Sequence, residues 1–441
     1  MRYFLLFLIL NLSLMAKEIE FSSDQPWLDK DGSIINVPLR RIDVSKKQAG
    51  KIADKAKSDW TVAAWNFPAW NPGGKHWPEL ANGKALRLPL LYDSQDPEVR
   101  YNGISYYRLS DPRVMDWQIK WMREAGINLV MFDWYPSESK EKFDNSPRHR
   151  HINASIEVGF LRKDQTGGAP VKTNPYAKKI DFVCMWTNHG HAWIPEGTME
   201  YACENFLNQP NYYKVDGKPL IIIHAPALLR EEHGGEGDSD VKMENLKKWI
   251  KKQRAIARTY GHEIFLSLGD ILPKYSKGFR DIGFDGSFNY ITHARPDLEK
   301  RYPIVYKQKI KVKGKEQIRT RRGEVWEADY KTHLMPSMID HWNKMYKVWG
   351  DGFVPTVTTR EDFRHWGPQG HMLYYHGGTP KLYGESLKLA RESVEKNNGR
   401  KFITVGIWNE FYEDAYLEPD VKYGYEYLKQ IEKNFPETSA K

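Results

Sequence analysis

From Trp60 onward, short apolar runs alternate with longer stretches in which apolar residues recur every three or four positions. That is the pattern of strands joined by helices in a parallel sheet. The runs predict strands at Thr61–Asn66, Ile127–Trp134, Phe182–Asn188, Leu220–Ala225, Ile264–Asp270, Gly286–Tyr290, Val354–Arg360 and Phe402–Trp408. Most are nearly continuous in apolar residues, as expected when helices cover the sheet. Between them, Asp111 followed by Pro112 reads as a helix start, and Gly126 as its stop. Val241–Tyr260 places Met243, Leu246, Trp249, Ile250, Ala257 and Tyr260 on one helical face. Further helices are expected at Thr198–Leu207, Thr332–Val348, Tyr383–Asn397 and Val421–Asn434. Eight strands with helical connections predict an α/β fold, a (β/α)8 TIM barrel over residues 60–436 with long βα-loop insertions. An open doubly wound sheet would usually have fewer strands and a Gly-rich first turn, which the sequence lacks.

The ends add two expectations. Met1-Arg2, the apolar run from Tyr3 to Ala16 and the polar Lys17-Glu18 that follows have the layout of a signal peptide over residues 1–16. The run is too short to span a bilayer. Export to the periplasm or the exterior is therefore expected, without stable membrane insertion, and residues 17–59 read as an N-terminal extension packed on the barrel. The two cysteines, Cys184 and Cys203, fall in a predicted strand and a predicted helix, and in an oxidising compartment they could pair. The 16 Trp, 25 Tyr and 18 Phe supply mostly core, and are also a stock of flat faces of the kind that carbohydrate sites use.

In (β/α)8 enzymes the chemistry lies at the C-terminal ends of the strands. The first run carries Trp65 near its end. The second ends in Asp133-Trp134-Tyr135, and the third in Trp186-Thr187-Asn188-His189-Gly190-His191. The fourth ends near His224, the fifth at Asp270, the sixth at Asn289-Tyr290 with His293 beyond, and the seventh at Arg360. The last ends in Trp408-Asn409-Glu410. Any one of these serves equally well as a loop support or a helix cap; their recurrence at one end of the strands marks a candidate substrate site. His189 and His191 have no third ligand spaced to complete a metal site, so neither metal nor cofactor is expected.

Glu410 and Glu413 leave the last strand three residues apart. If the chain turns helically there, both carboxylates face one hollow, and neighbouring like charges drive their proton affinities apart. Glycosidic cleavage needs such a pair, one proton donor and one basic or nucleophilic partner. The run Trp408-Asn409-Glu410-Phe411-Tyr412-Glu413-Asp414-Ala415-Tyr416-Leu417-Glu418-Pro419-Asp420 resembles the signature of the WbsX-like family, which is similar to the endo-α-mannosidases of glycoside hydrolase family 99. Asp111–Trp117, Ala125-Gly126-Ile127 with Phe132-Asp133-Trp134-Tyr135, Asn211–Pro219 and Tyr423-Gly424-Tyr425 agree, so the resemblance extends from about Trp60 to Leu428.

The resemblance implies a metal-free, retaining attack on α-linked glycans. Glu410 would deprotonate the sugar's own 2-hydroxyl, and Glu413 would protonate the leaving group. Trp65, Asp133, Trp134, Trp186, Asn188, His189, His224, Asn289, Tyr290, Arg360, Trp408, Asn409 and Tyr416 are the expected substrate-binding residues. Phe411 stands where the signature has Trp, and Tyr412 and Asp414 also depart from it. These departures leave the chemistry in place and the mannose preference open.

The net charge of +9 is uneven. Between Lys300 and Lys331, eleven basic residues face four acids. Ile304–Trp326 alternates apolar and basic positions around Gly314, the pattern of a β-hairpin. It is either a solvated hairpin that uses Lys against edge pairing, or an electropositive wall for a sulfated or uronic polysaccharide touching Lys309, Lys311, Arg319, Arg321 or Arg322. A second basic insert, Lys140–Lys179, follows the second strand. Nucleic acid is not an expected partner, because no binding motif accompanies the charge. A glycosyltransferase of surface-polysaccharide synthesis and a non-catalytic glycan-binding barrel remain as alternatives.

Overall fold

The computed structural model describes residues 41–436 except 53–57, 82–87, 145, 164–174, 191, 292–299, 313–314 and 364–370, and omits the side chains of 79, 147–148, 300–325 and 371–373. The expected signal peptide and His191 and His293 lie outside the described residues.

Six barrel strands follow in order: β1 (Thr61–Asn66), β2 (Leu129–Trp134), β3 (Asp181–Trp186), β4 (Lys218–Ile223), β5 (Phe265–Leu268) and β6 (Gly286–Ser287). Each pairs in parallel with its neighbour. A long antiparallel hairpin of β7 (Lys300–Val312) and β8 (Lys315–Asp329) rises after β6 and is joined on one side by β9 (His371–His376). The last barrel strand, β10 (Phe402–Ile407), returns to β1.

The seventh barrel position is not the regular strand expected over Val354–Arg360. It is an extended segment, residues 353–357, held by parallel bridges to β6 and to β10. Val354 N–H donates to Ser287 O at 3.0 Å, and Val357 N–H to Thr404 O at 2.9 Å. These bonds close the sheet into a (β/α)8 barrel. Closure here depends on two glycines, since a Cβ on Gly286 would lie 2.4 Å from Gly352 O, and one on Gly352 would lie 2.4 Å from Asp285 O.

The helices alternate as the periodicity requires: α1 (Pro112–Glu124), α2 (Pro147–Ala154), α3 (Thr198–Ala202), α4 (Ser239–Thr259), α5 (Pro273–Asp281), α6 (Met335–Trp349), α7 (Pro380–Lys396) and α8 (Glu426–Asn434). In α1 the Asp111 carboxylate caps the Arg113 N–H at 2.8 Å, Pro112 sits at the first turn, and Val114, Met115, Trp117, Ile119, Trp121 and Met122 are buried. Each such side chain contributes roughly 1.5–3 kcal/mol of burial. The last helix starts later than Val421, because Asp420 captures the Lys422 and Tyr423 N–H groups and turns the chain there. In the N-terminal segment, Ile42–Asp43 pairs with Leu91–Tyr92, and Val44, Ala49 and Ile52 are buried against the barrel's outer layer.

Two apolar clusters follow the period-two alternation of the strands. The inner one fills the barrel with Ala63, Trp65, Leu129, Met131, Val183, Met185, Leu220, Ile222, Phe265, Phe288, Val354, Phe402 and Ile407. The outer one, between sheet and helices, holds Val62, Val130, Phe132, Trp134, Phe182, Cys184, Trp186, Ile221, Ile223, Leu268, Ile403, Val405 and Trp408. Cys184 and Cys203 are both buried free thiols, so the pairing considered from the sequence is not made. Among the described residues, no helix is long and apolar enough to cross a membrane.

Candidate active site

The alternation of the strands sorts the expected site residues. Along β2, Leu129 and Met131 point into the barrel, so Asp133 and Tyr135 continue inward while Phe132 and Trp134 face the helices. Trp134 lies there stacked on Tyr201, with ring centroids 5.7 Å apart and nearly parallel planes. Trp186 packs beside it, 6.3 Å away. Both were expected at the substrate; both are outer core. Trp408 is a third correction, with a different cause. The register of β10 shifts between Thr404 and Ile407, where Gly406 has φ +106°, a bulge that only glycine enters without strain. The extra residue turns Ile407 inward and Trp408 outward.

Two of the expected polar residues prove to be clamps, and a third residue does the same. Asn409 accepts from Phe67 N–H at 2.7 Å and donates to Phe67 O at 2.9 Å. Asn188 does the same for Ala225 at 2.8 and 3.1 Å. Asn153, not anticipated from the sequence, does it for Tyr135 at 3.0 and 2.8 Å. In each case one amide satisfies both backbone groups of a residue leaving a strand, where the ladder has ended. Asn289 turns to His341 on α6, 2.9 Å from its Oδ1. Arg360 is buried in an ion pair with Asp414 (2.9 Å), its guanidinium over the rings of Tyr416, Tyr423 and Tyr427. The Tyr416 hydroxyl donates to Asp420 at 2.9 Å. Asn188, Asn289, Arg360, Asn409 and Tyr416 therefore support the walls of the site.

The barrel mouth itself gathers Trp65, Asp133, His189, His224, Tyr290, Glu410 and Glu413. Trp65 is the floor, wholly buried, its Nε1 donating to Asn289 O and its ring 5.5 Å from Tyr290. His189 is exposed at the rim, its ring 4.9 Å from His224 and 5.9 Å from Tyr135. His224 Nδ1 lies 3.7 Å from the Asp270 carboxylate, which also accepts the Tyr290 N–H at 2.7 Å.

Glu410 and Glu413 bracket a single 3-10 turn, Phe411–Glu413, placed by what surrounds it. Phe411 is wedged against Trp70, Trp77 and Tyr416. Asp414 takes a left-handed conformation (φ 51°) and is held by Arg360, while Asp362 N–H donates to Glu413 O at 2.8 Å. Below, Glu418 accepts from the Tyr107 hydroxyl (2.8 Å) and Gln118 (3.0 Å), and burial pushes its carboxyl up to about 8. Glu410 is buried, with Oε1 lacking a hydrogen-bond partner among the described residues.

Burial is the first cause of a raised proton affinity at both glutamates. The charges of Glu413 and Asp133 add to it at Glu410, and that of Asp270 adds to it at Glu413. Asp133 is raised by burial and by Asp270 and Glu413, against the Tyr290 hydroxyl. Glu361 is raised by burial, then by Glu413 and Asp270. Tyr135 and Asp270 stood among the strand exits but not among the expected substrate-binding residues, and Glu361 was in neither group. Each was visible as a polar residue at a strand exit, and Tyr135 also by its parity with Asp133. Five carboxyls thus share one mouth, where some must keep protons while others ionise, the condition for proton transfer between groups of one chemical type. Among the described residues, no group of three or more His, Cys, Asp or Glu is arranged to hold a metal ion.

Known proteins resemble this chain at several levels. Two solved structures of the GH99 endo-α-mannosidase from Bacteroides thetaiotaomicron, one in complex with bis-tris-propane, are similar to it at 12% identity. They align with 86% of this chain and 96% and 97% of their own, with TM-scores of 0.49 and 0.48. An uncharacterized protein, WxcX, from two strains of Xanthomonas campestris pv. campestris is 22% and 21% identical over 83% of this chain. The chain spans about half the length of these relatives, 48% in each case. The model of the family described as glycosyltransferase WbsX matches residues 65–431, from within β1 to within α8, and the chain belongs to that family.

Proposed function

We propose that this chain is an exported, retaining glycoside hydrolase that cleaves α-linked polysaccharide, with Glu410 and Glu413 as the reacting carboxylates. The observation that carries the reading is their placement: both leave β10 at the C-terminal end of the barrel strands, in a mouth where burial and then neighbouring acids raise the proton affinity of each. Glu410 accepts the proton of the sugar's 2-hydroxyl as that oxygen attacks the anomeric carbon. The bond to the leaving oxygen breaks, and that oxygen takes the proton of Glu413. Water then opens the 1,2-anhydro sugar at the anomeric carbon, giving its proton to Glu413 while O2 recovers one from Glu410. Two inversions give net retention. Aromatic and polar groups at the mouth, Tyr135, His189, His224 and Tyr290, would line the reacting sugar above the buried floor of Trp65.

The transferase named in the family's description is the second reading. A nucleotide-sugar donor brings a diphosphate, and a mouth of five carboxyls is a poor place for it. The basic hairpin after β6 supports an anionic polymer as substrate, and the leader-like residues 1–16 support export. The deciding experiment incubates the protein with sulfated, uronic and neutral α-glycans and measures new reducing ends. Release by the wild type, lost in Glu413→Gln, is the expected result. Transfer from a nucleotide sugar without hydrolysis would replace this reading with the transferase one, and saccharide binding with neither activity would leave a binding protein.

A further inference from the structure

The charge at the mouth and the charge of the hairpin have opposite signs, and among the described residues the mouth has no cation to spare. Arg360, the one arginine close to the glutamate turn among the described residues, is neutralised by Asp414 and enclosed by three tyrosine rings. His76, whose ring lies 5.8 Å from that of Tyr412, is held down to about 4 by burial and then by Lys75, and so is neutral. His224 faces Asp270. Against these stand Asp133, Asp270, Glu361, Glu410 and Glu413. Two of their buried oxygens, Glu410 Oε1 and Asp133 Oδ1, have no hydrogen-bond partner among the described residues. Buried polar atoms of this kind require a partner. Here a ligand's hydroxyl or ammonium hydrogens supply it, whereas a sulfate or carboxylate offers only acceptors and a like charge. Ten basic residues between Lys300 and Asp329 belong to the hairpin that follows β6, a ribbon of thirteen paired positions.

We propose that the sugar unit at the reacting position carries no acidic substituent, that a cation there is bound in preference to a neutral analogue, and that any sulfate or carboxylate on the polymer sits on flanking units. This rests on the reading of Glu410 and Glu413 as the reacting pair. It divides recognition in two: the mouth selects an uncharged unit, and the basic hairpin selects the anionic chain around it.

Two measurements on the full chain test it. In the first, calorimetry compares piperidine iminosugars of several configurations as fixed-charge N,N-dimethyl cations and as neutral N-acetyl amides. For the configuration that binds, the cation should be at least 10-fold tighter, and Asp270→Asn should narrow that ratio. Equal affinity, or a tighter neutral probe, overturns the proposal. In the second, oligosaccharides sulfated at one defined unit are cleaved and mapped by mass spectrometry. Sulfate on the unit whose anomeric bond breaks should slow cleavage at least 100-fold relative to sulfate on a neighbouring unit. Comparable rates overturn the proposal while leaving the hydrolase reading intact. If no oligosaccharide is cleaved, the hydrolase reading fails by itself, and the iminosugar comparison still decides whether the mouth prefers a cation.

Discussion

The loop after β10 and the hairpin after β6 rise from the same end of the barrel and are built on opposite principles. In residues 408–420, Trp408 and Phe411 are packed into the outer core, Asn409 holds Phe67, and Asp414 holds Arg360. Tyr416 holds Asp420, and Glu418 is held by Tyr107 and Gln118. That support fixes the turn carrying Glu410 and Glu413. The hairpin, by contrast, is thirteen paired positions of strand, joined among the described residues to a third strand only near its base, where β9 lies beside Glu324–Asp329. A short buried loop can hold two carboxyls at fixed positions against their mutual repulsion. A long ribbon can only present charge. The first suits chemistry and the second suits attraction of a polymer, and variants of each should behave accordingly.

The largest effect should come from the turn. On the proposed roles, Glu410→Gln and Glu413→Gln should each lower kcat/KM by roughly 10²–10⁴-fold, while the melting temperature holds or rises, because each removes a desolvated carboxyl. A fall in melting temperature matching the loss of activity would recast the pair as structural. Next is the brace. Arg360→Met removes the guanidinium that pairs with buried Asp414, a loss of about 3–5 kcal/mol in urea unfolding. Asp414→Leu added to it should recover most of that stability. Turnover should not return with it, since Glu413 still lacks its anchor; recovery of both would show that the ion pair serves the fold alone.

A smaller effect concerns pH. Glu418 has its carboxyl raised from 4.5 to about 8 in the folded chain, with burial as the cause. A raised acid favours the native state while it is protonated, so its contribution is whole below the unfolded value and is lost as pH rises through the folded one. Stability should therefore decline between about pH 4.5 and pH 8 for this group, and Glu418→Gln should flatten the decline in melts across that window. An unchanged slope would place the carboxylate ionised and paired at neutrality.

Much of this was legible in advance, and the exceptions have physical reasons. Strand positions came from apolar runs, the start of α1 from Asp111-Pro112, and Glu410 and Glu413 from their place after the last run. Trp134 and Trp186 were misassigned because an aromatic at a strand exit was read without its parity, although Asp133 and Trp134 must face opposite sides. Trp408 could not be placed that way, because the bulge at Gly406 shifts the phase and glycine alone does not announce one. The asparagine clamps were hidden for a different reason. Asn188 and Asn409 stand where ligand-binding residues stand, and only the partner backbone, more than 30 residues away, distinguishes the roles.

The smallest effect should come from the hairpin, and it discriminates most finely between the two loops. Changing Lys309, Lys311, Arg319, Arg321 and Arg322 together to Glu reverses the charge of the hairpin at positions outside its Glu324–Asp329 pairing with β9, so the melting temperature should stay within a few degrees. Cleavage of a sulfated or uronic polymer should fall several-fold at low salt, while a neutral oligosaccharide with the same scissile linkage is cleaved at the original rate. Raising the salt should erase the difference, since solvent-exposed charges are screened over about 10 Å at 0.1 M. Equal losses on charged and neutral substrates would mean that the hairpin shapes the cleft instead of attracting the polymer. The division of labour between the rigid turn and the charged ribbon would then fail, even with both glutamates still in their catalytic roles.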